Sequence, residues 1–587
     1  MTLKRKRILY FLLLILLVLG PGALAAKLKM DAIDAQAQEF AETGKAAIAL
    51  FGEYQEAIAQ LDLSRLLTCY DPAYASPDGG EWRERLASDR DGIRVYEWYV
   101  ENPRPFSRDD VCRGVAAYLQ TGRSIEESRC KLDAVEEISR PGRAVVRAIL
   151  WLRGSGSDGK AFECHAHLRM WLREADGSWR IHRQTLLHGE TVTGDRKGFT
   201  DITAQAGIHF RARHNPMLET PEWEPKVYGI MRYAAGGVSA ADFDNDGFYD
   251  IFFCDGARPR LYRNNGDGTF TDITTAAGLP AELPGASVAI FADFNNDGYK
   301  DLFVGCGTGH NRMYRNNGNG TFMDVTHGAG LGGDWVAVAA AADFDNDGKV
   351  DLYVGRYLDP RKNLPTTLFY TRNSEGNSLL RNDGNFHFTD VTAAAGVREG
   401  GLTLGIAWGD YDNDGYQDLF VANDFGRNVL FRNNGNGTFT DVSRETGALD
   451  FGYSMSATFA DINNDGHLDL YVSKVHSGQR WFGQAITLHK YLLTSFRQGT
   501  LLEDYPLYKE LYSLVGSDWH SFGDRVIKGN SLLLNDGTGH FRDVTEGART
   551  NPLGWYWGSA VFDFDNDGWQ DIYAVNGWIS GRSKEDL

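Results

Sequence analysis

The sequence predicts a mainly β protein: a β-propeller of six or seven blades with Asp-rich calcium loops, preceded by a small α+β domain. Three observations predict it. A nine-residue acidic loop recurs six times within 587 residues. Short apolar runs and Asn-Gly turns recur around that loop with a period near 50 residues. Residues 28–190 lack the loop and read as helices followed by strands.

The first loop is Asp242-Phe-Asp-Asn-Asp-Gly-Phe-Tyr-Asp250, which sets carboxylates at Asp242, Asp244, Asp246 and Asp250. The second and third supply Asp293, Asn295, Asp297 and Asp301, then Asp343, Asp345, Asp347 and Asp351. The fourth and fifth supply Asp410, Asp412, Asp414 and Asp418, then Asp461, Asn463, Asp465 and Asp469. The sixth supplies Asp563, Asp565, Asp567 and Asp571. Position four is Asn and position six is Gly in every copy.

Hard-cation coordination explains the spacing. Calcium takes about six to eight oxygens, which a short loop provides from alternate side chains and one carbonyl. Gly at position six lets the backbone reverse where a Cβ would clash. Without an ion, carboxylates ~4 Å apart repel by about 4 kcal/mol per pair at an effective dielectric near 20. Asx turns explain Asp, Asn and Gly in any single loop, but not six in-phase copies. An EF-hand requires Glu at position twelve. That place holds Phe253, Val304, Val354, Val421, Val472 or Ala574. The flanks are β-branched and aromatic runs, so each loop joins two strands. About six calcium ions are expected.

The chain opens Met1-Thr-Leu-Lys-Arg-Lys-Arg7, continues through the apolar run Ile8 to Leu19, and reaches Gly-Pro-Gly-Ala-Leu-Ala-Ala26. A basic start, an apolar run and an Ala-x-Ala site make residues 1–26 a secretory signal peptide. The protein is thus expected to be exported, and held at a membrane only if this segment stays uncleaved. The net charge of −19 excludes non-specific nucleic-acid binding. The loops hold 22 of the acidic residues, and six calcium ions would bring the charge to about −7.

Residues 28–190 form the expected α+β domain. Ile48, Phe51, Tyr54, Ile58 and Leu61 fall at helical spacing, and Asp62 suits the cap of a second helix bearing Leu63, Leu66, Leu67 and Tyr70. Arg143–Arg153, Phe162–Arg173 and Trp179–Leu187 alternate like strands, the last two joined by an Ala-Asp-Gly-Ser turn at 175–178. His165, His167, Arg169 and Trp171 share one face, with Cys164, Ala166, Leu168, Met170 and Leu172 on the other. The His-x-His pair suits the start of a metal site or an acid/base centre, but the sequence names no third ligand. The Leu/Met side reads as core. Of six cysteines, Cys112 and Cys130 are the nearest candidates for a disulfide, while Cys254 and Cys306 read as buried thiols; four cysteines in this domain leave three full pairings open.

After a linker at 191–198, the repeats run from 199 to 587. Loop starts lie 51, 50, 67, 51 and 102 residues apart. Outer strands are expected at 199–203, 270–274, 322–326, 388–392, 439–443 and 541–545. Third strands are expected at Leu261, Met313, Leu379, Leu430 and Leu532. No sixth third-strand signature follows Asp571, so a truncated last blade is expected. Insertions at 355–378 and 476–529 both fall between second and third strands, on the face opposite the loops. The second holds Trp481, Leu488, Tyr491, Leu492, Phe496, Tyr505, Tyr508, Leu511, Tyr512 and Trp519.

Together, the Asp-x-Asp-x-Asp-Gly-x-x-Asp loops and the Tyr-Arg-Asn-Asn-Gly-Asn-Gly-Thr-Phe-x-Asp-Val-Thr segments resemble FG-GAP/VCBS-type propeller repeats, in the cartilage-acidic-protein-like exported subgroup. The resemblance implies calcium in each loop. The order of the N-terminal domain resembles the nuclear-transport-factor and ketosteroid-isomerase cone fold. The implied function is binding or adhesion toward a protein or carbohydrate ligand on the insertion face. A polysaccharide lyase or hydrolase and a structural spacer are the alternatives, with no catalytic residue named.

Overall fold

The structure is a computed structural model. It describes residues 38–577 apart from 40–41, 78–80, 91–92, 120–122, 141, 195–200, 213–235, 360–364, 366–369, 477–500, 517–518 and 553. The expected signal peptide and the residues after Gly577 lie outside the described residues. The described residues fall into two compact units, one within residues 38–194 and the other within residues 201–577.

The first unit begins with helix α1, residues 42–59, and helix α2, Leu63–Thr68. Asp62 caps α2, its Oδ1 accepting from the Arg65 amide at 3.0 Å. The buried stripe of α1 is Ala47, Leu50, Phe51, Tyr54, Ala57 and Ile58. Of the expected face, Ile48 and Leu61 are instead 57% and 53% exposed. Ile48 sits one position round from Ala47, and Leu61 adopts a left-handed φ of 55° beyond the end of the helix.

Strands β1 (Glu81–Arg90) and β2 (Ile93–Glu101) follow, then α3 (Arg108–Leu119). The unit ends with β3 (Ser124–Arg140), β4 (Arg143–Ser155), β5 (Ala161–Ala175) and β6 (Ser178–Gly194). The strands form one antiparallel sheet, ordered β1-β2-β6-β5-β4-β3. The expected turn joins β5 to β6: Ala175 pairs with Ser178, with Asp176 and Gly177 both at positive φ. Along β5 the even-numbered residues from Phe162 to Leu172 are buried and the odd-numbered ones half-buried, so the Leu/Met side is core as expected. All six cysteines are buried free thiols. The expected Cys112–Cys130 disulfide is not formed; both residues pack as apolar core, and burial pushes the Cys112 thiol up to about 11.

The second unit is a series of small antiparallel sheets. The first holds Gly237–Ala241, Asp250–Cys254, Arg260–Asn264 and Phe270–Asp272, hydrogen-bonded in sequence order. Three more four-stranded sheets follow, with first strands at Ala286–Ala292, Val336–Ala342 and Leu402–Gly409. Ser454–Ala460 opens a six-stranded sheet: it pairs with Asp469–His476, which pairs in turn with Ser531–Asn535 and, through Val475 and His476, with Gly554–Phe562. Gly554–Phe562 and Asp571–Asn576 form a further pair. First strands of consecutive sheets lie side by side. Every residue of Asp301–Cys306, Asp351–Arg356 and Asp418–Asp424 is buried, because second strands are covered on both sides by neighbouring sheets.

Two expectations change. Fourth strands are shorter than expected, ending at Asp272, Asp324, Asp441 and Asp543. The described part of 199–203 is not a strand: the Ala206 amide donates to the Ile202 carbonyl, and the Phe270 amide donates to the Ala206 carbonyl at 2.8 Å. The segment therefore takes the place of the turn after a fourth strand, as Ala277 does beneath Phe322.

Candidate functional site

Each acidic loop folds its own side chains back onto its backbone. Both carboxylate oxygens of Asp242 accept amides, from Asp246 and Gly247, at 3.0 Å each. Asp246 accepts from the Phe248 amide. Asp250 takes the Phe243 amide on one oxygen and, on the other, the Asn264 amide of the third strand at 2.8 Å. The pattern recurs for Asp293, Asp297 and Asp301, and for Asp343, Asp347 and Asp351. It recurs for Asp410, Asp414 and Asp418, and for Asp461, Asp465 and Asp469. Asp563, Asp567 and Asp571 keep the contacts within their loop.

Position three behaves differently. Asp244, Asp345 and Asp412 each hold a buried Oδ1 with no hydrogen-bond partner. Where that place is Asn, its amide donates to the position-five carboxylate: Asn295 to Asp297 at 2.8 Å, and Asn463 to Asp465 at 2.9 Å. Carboxylate oxygens converge within 4.8 Å at Asp242/Asp244/Asp246, Asp343/Asp345/Asp347, Asp410/Asp412/Asp418 and Asp563/Asp565/Asp571. A buried acceptor without a donor costs ~1–3 kcal/mol, so the first three of these clusters fit a cation. Burial also pushes the position-nine carboxyls up: Asp250 to about 6, Asp301 and Asp351 to about 7, and Asp418 to about 8.

Two sets of asparagines join one repeat to the next, a role the sequence alone did not expose. The position-four residues Asn245, Asn296, Asn346, Asn413 and Asn464 sit at φ of 55–60°. Each donates its Nδ2 to the position-six carbonyl of the following loop: Gly298, Gly348, Gly415, Gly466 and Gly568. Third-strand asparagines reach the other way. Asn316, Asn382, Asn433 and Asn535 donate to the carbonyls of Phe243, Phe294, Phe344 and Tyr411 at 2.7–2.8 Å. Their only sequence signal is the constant Asn in every loop and every Arg-Asn or Leu-Asn turn.

On the opposite ends of the strands, the described part of the second insertion is helical: α4 (Leu501–Val515) and α5 (Trp519–Val526). Leu511, Val515, Phe522 and Val526 are buried, and Phe522 meets Phe451 edge-on, centroids 5.3 Å apart. Glu510 pairs with Arg372 of the first insertion and lies 3.4 Å from Arg427. Arg444 donates to the Ser513 and Leu514 carbonyls at the end of α4. The helices thus pack on their own repeats, while Tyr512 stays exposed beside Tyr508. Trp481, Leu488, Tyr491, Leu492 and Phe496 lie outside the described residues, and so do the side chains of Tyr505 and Trp519.

The first unit encloses a cavity of about 790 Å³ lined by Trp82, Tyr96, Trp98, Phe106 and Phe162. Its Glu84 is gripped by both terminal nitrogens of Arg123 and by the Thr191 hydroxyl. The charged sequences of β1 and β2 gave no sign of it.

Comparison with known proteins places these features in a class. Residues 242–304, 293–354, 367–421, 410–472 and 514–574 match the FG-GAP-like repeat, each match ending three residues beyond a position-nine Asp. The chain carries FG-GAP-like repeats. It is similar to cartilage acidic protein 1: 26% identical over 204 residues to that of Xenopus tropicalis, covering 32% of this chain and 31% of the relative. To the Homo sapiens protein it is 31% identical over 214 residues, covering 35% and 32%. The match therefore spans about a third of each relative's length. Among solved structures, a putative aromatic ring hydroxylase from Novosphingobium aromaticivorans is 17% identical with a TM-score of 0.18, covering 25% of this chain and 87% of its own. An Agrocybe aegerita lectin that recognises non-reducing terminal N-acetylglucosamine is 15% identical with a TM-score of 0.30, covering 74% and 85%.

Proposed function

We propose that this is an exported β-propeller, held together by calcium in its six acidic loops, that binds a protein or carbohydrate ligand through the face bearing the insertions. The 24 side chains at positions one, three, five and nine, from Asp242 to Asp571, are the ligands. The observation that carries the calcium reading is the buried, unpartnered oxygen of Asp244, Asp345 and Asp412. It supports a cation because each lies among carboxylates that have already spent their other oxygens on backbone amides. Calcium suits such oxygen-only sets. Bound there, it neutralises the crowded carboxylates and makes each loop a rigid link between first and second strands.

The ligand face is supported by geometry of a different kind. Loops carried on a rigid scaffold are where recognition concentrates. Here Arg372, Arg427 and Glu510 fix the insertions to the sheets, so exposed groups such as Tyr512 are presented from a fixed base. Calorimetric titration of chelator-stripped protein should show about six calcium sites. An array of glycans, screened in calcium, tests the second half, with a protein-ligand pull-down beside it. No calcium uptake by the stripped protein would overturn the metal assignment.

A further inference from the structure

The outward face of the first unit's sheet brings together a group of side chains that no acidic loop involves. On β5, His165 and His167 point to the same side, two residues apart. On β6, the residue paired with His167 is His188, and the residue paired with His165 is Glu190. Directly opposed residues on neighbouring antiparallel strands carry their Cβ atoms ~4.5–5.5 Å apart on one face. The four side chains thus occupy the corners of a square: His165 and His167 along one edge, Glu190 and His188 along the other. The rings of His167 and His188 have centroids 6.1 Å apart, and His188 Nε2 lies 3.9 Å from Glu190 Oε2.

We propose that His165, His167, His188 and Glu190 form a transition-metal site, taking zinc or a similar borderline divalent ion, separate in place and chemistry from the calcium loops. Imidazole nitrogen is the donor such ions favour and calcium does not. Three imidazoles and one carboxylate match the donor sets of tetrahedral zinc, with Zn–N bonds of ~2.0–2.1 Å. The imidazole nitrogens do not converge as the acidic-loop oxygens do, so binding an ion requires rotation about the side-chain bonds.

Glu163 strengthens the case. It lies two residues before His165 on the same face, and its Oε1 meets His165 Nε2 at 2.8 Å and accepts from Trp151 Nε1 at 2.8 Å. A histidine whose second nitrogen is held by a carboxylate is oriented for metal binding through the first. Glu163 is accordingly a positioning residue, which leaves His165 Nδ1 for the ion. The His165 and His188 side chains are 40% and 46% exposed, so an ion has an open path from solvent.

Cobalt(II) titration of the full chain in excess calcium tests this, because cobalt in a site of low coordination number gives strong visible d–d bands and cobalt in an all-oxygen loop gives weak ones. One equivalent of cobalt should develop strong bands that zinc then abolishes. The double substitution His167→Ala/His188→Ala should remove them, and Glu163→Gln should weaken cobalt binding by about 10–100-fold. His188→Gln alone, at an exposed position, serves if the double variant fails to fold, as judged by its melt in calcium. Wild-type protein without strong bands would overturn the proposal, and so would bands that survive the histidine substitutions.

Discussion

Asn245 Nδ2 donates to the Gly298 carbonyl at 3.0 Å, a hydrogen bond that joins two acidic loops through residues 53 positions apart. Four further asparagines repeat it from loop to loop. One residue type meets two needs there, a left-handed backbone and a donor aimed at the next repeat. The two needs separate by substitution. Asn346→Gly keeps the φ of 56° accessible and loses only the bond to Gly415, for an expected cost of about 1 kcal/mol. Asn346→Ala also forces a Cβ into the left-handed region, adding ~1–2 kcal/mol. Denaturant melts in calcium should rank wild type above Gly above Ala; equal Gly and Ala variants would contradict the backbone argument.

Position three offers a test in which the sign changes with the metal. Asn295 and Asn463 close their loops with a bond to the position-five carboxylate, whereas Asp345 leaves an oxygen buried and unpartnered. In chelator, Asp345→Asn should therefore raise the melting temperature, since it removes a repelling charge and supplies the missing bond. In calcium the same change should weaken binding at that loop. A site filled at ~100 times its dissociation constant contributes about 2.7 kcal/mol, so Asp345→Ala in calcium should lose roughly that much. Stabilisation by Asp345→Asn in both conditions would mean that no ion occupies the loop.

Acidity gives opposite slopes for the two forms. Burial raises Asp250, Asp301, Asp351 and Asp418 above the ordinary carboxylate value, to between about 6 and about 8. In the metal-free protein these groups hold protons that the unfolded chain has already released. Metal-free stability should accordingly fall as pH rises from about 4 to about 8, then level off. Calcium requires the ionised form, so its contribution should be present above that range and lost as pH falls through it. Melts from pH 5 to 8, with and without calcium, measure both slopes, and calcium added at neutral pH should release protons into an unbuffered solution. Parallel slopes would remove these carboxyls from the binding reaction.

Much of the repeat was legible because its signals are local. A loop that closes on its own amides writes its geometry into nine consecutive residues, and the strands on either side follow from it. Asn245 and Asn316 were visible as constants without a cause, because their partners, Gly298 and Phe243, sit in neighbouring repeats. β1 was missed for another reason. Its sequence Glu81-Trp-Arg-Glu-Arg-Leu-Ala-Ser-Asp-Arg90 places charges on both faces, and these are satisfied by cross-strand pairs such as Arg83 with Glu101 and Arg85 with Glu97. Alternation of apolar and polar residues cannot reveal a strand stabilised in that way. The third member of the His165–His167 cluster was likewise out of reach, since pairing His167 with His188 requires the register of β5 on β6.

The insertion face yields the last prediction. Glu510 joins α4 to two arginines, yet each arginine keeps a second carboxylate: Arg372 has Glu399 at 3.2 Å, and Arg427 has Asp441 at 2.8 Å. Removing the Glu510 charge should therefore loosen α4 without unfolding the sheets beneath it. In Glu510→Gln, amide exchange across residues 501–515 should quicken while global stability changes by no more than about 1 kcal/mol. Replacing residues 480–524 with a short Gly/Ser bridge goes further. The acidic loops lie at the other ends of the strands, so calcium uptake should persist while ligand capture is lost. Capture that survives in a folded, calcium-loaded deletion variant would move the recognition surface away from the insertions, and loss of calcium uptake would show that the two ends of the strands are coupled.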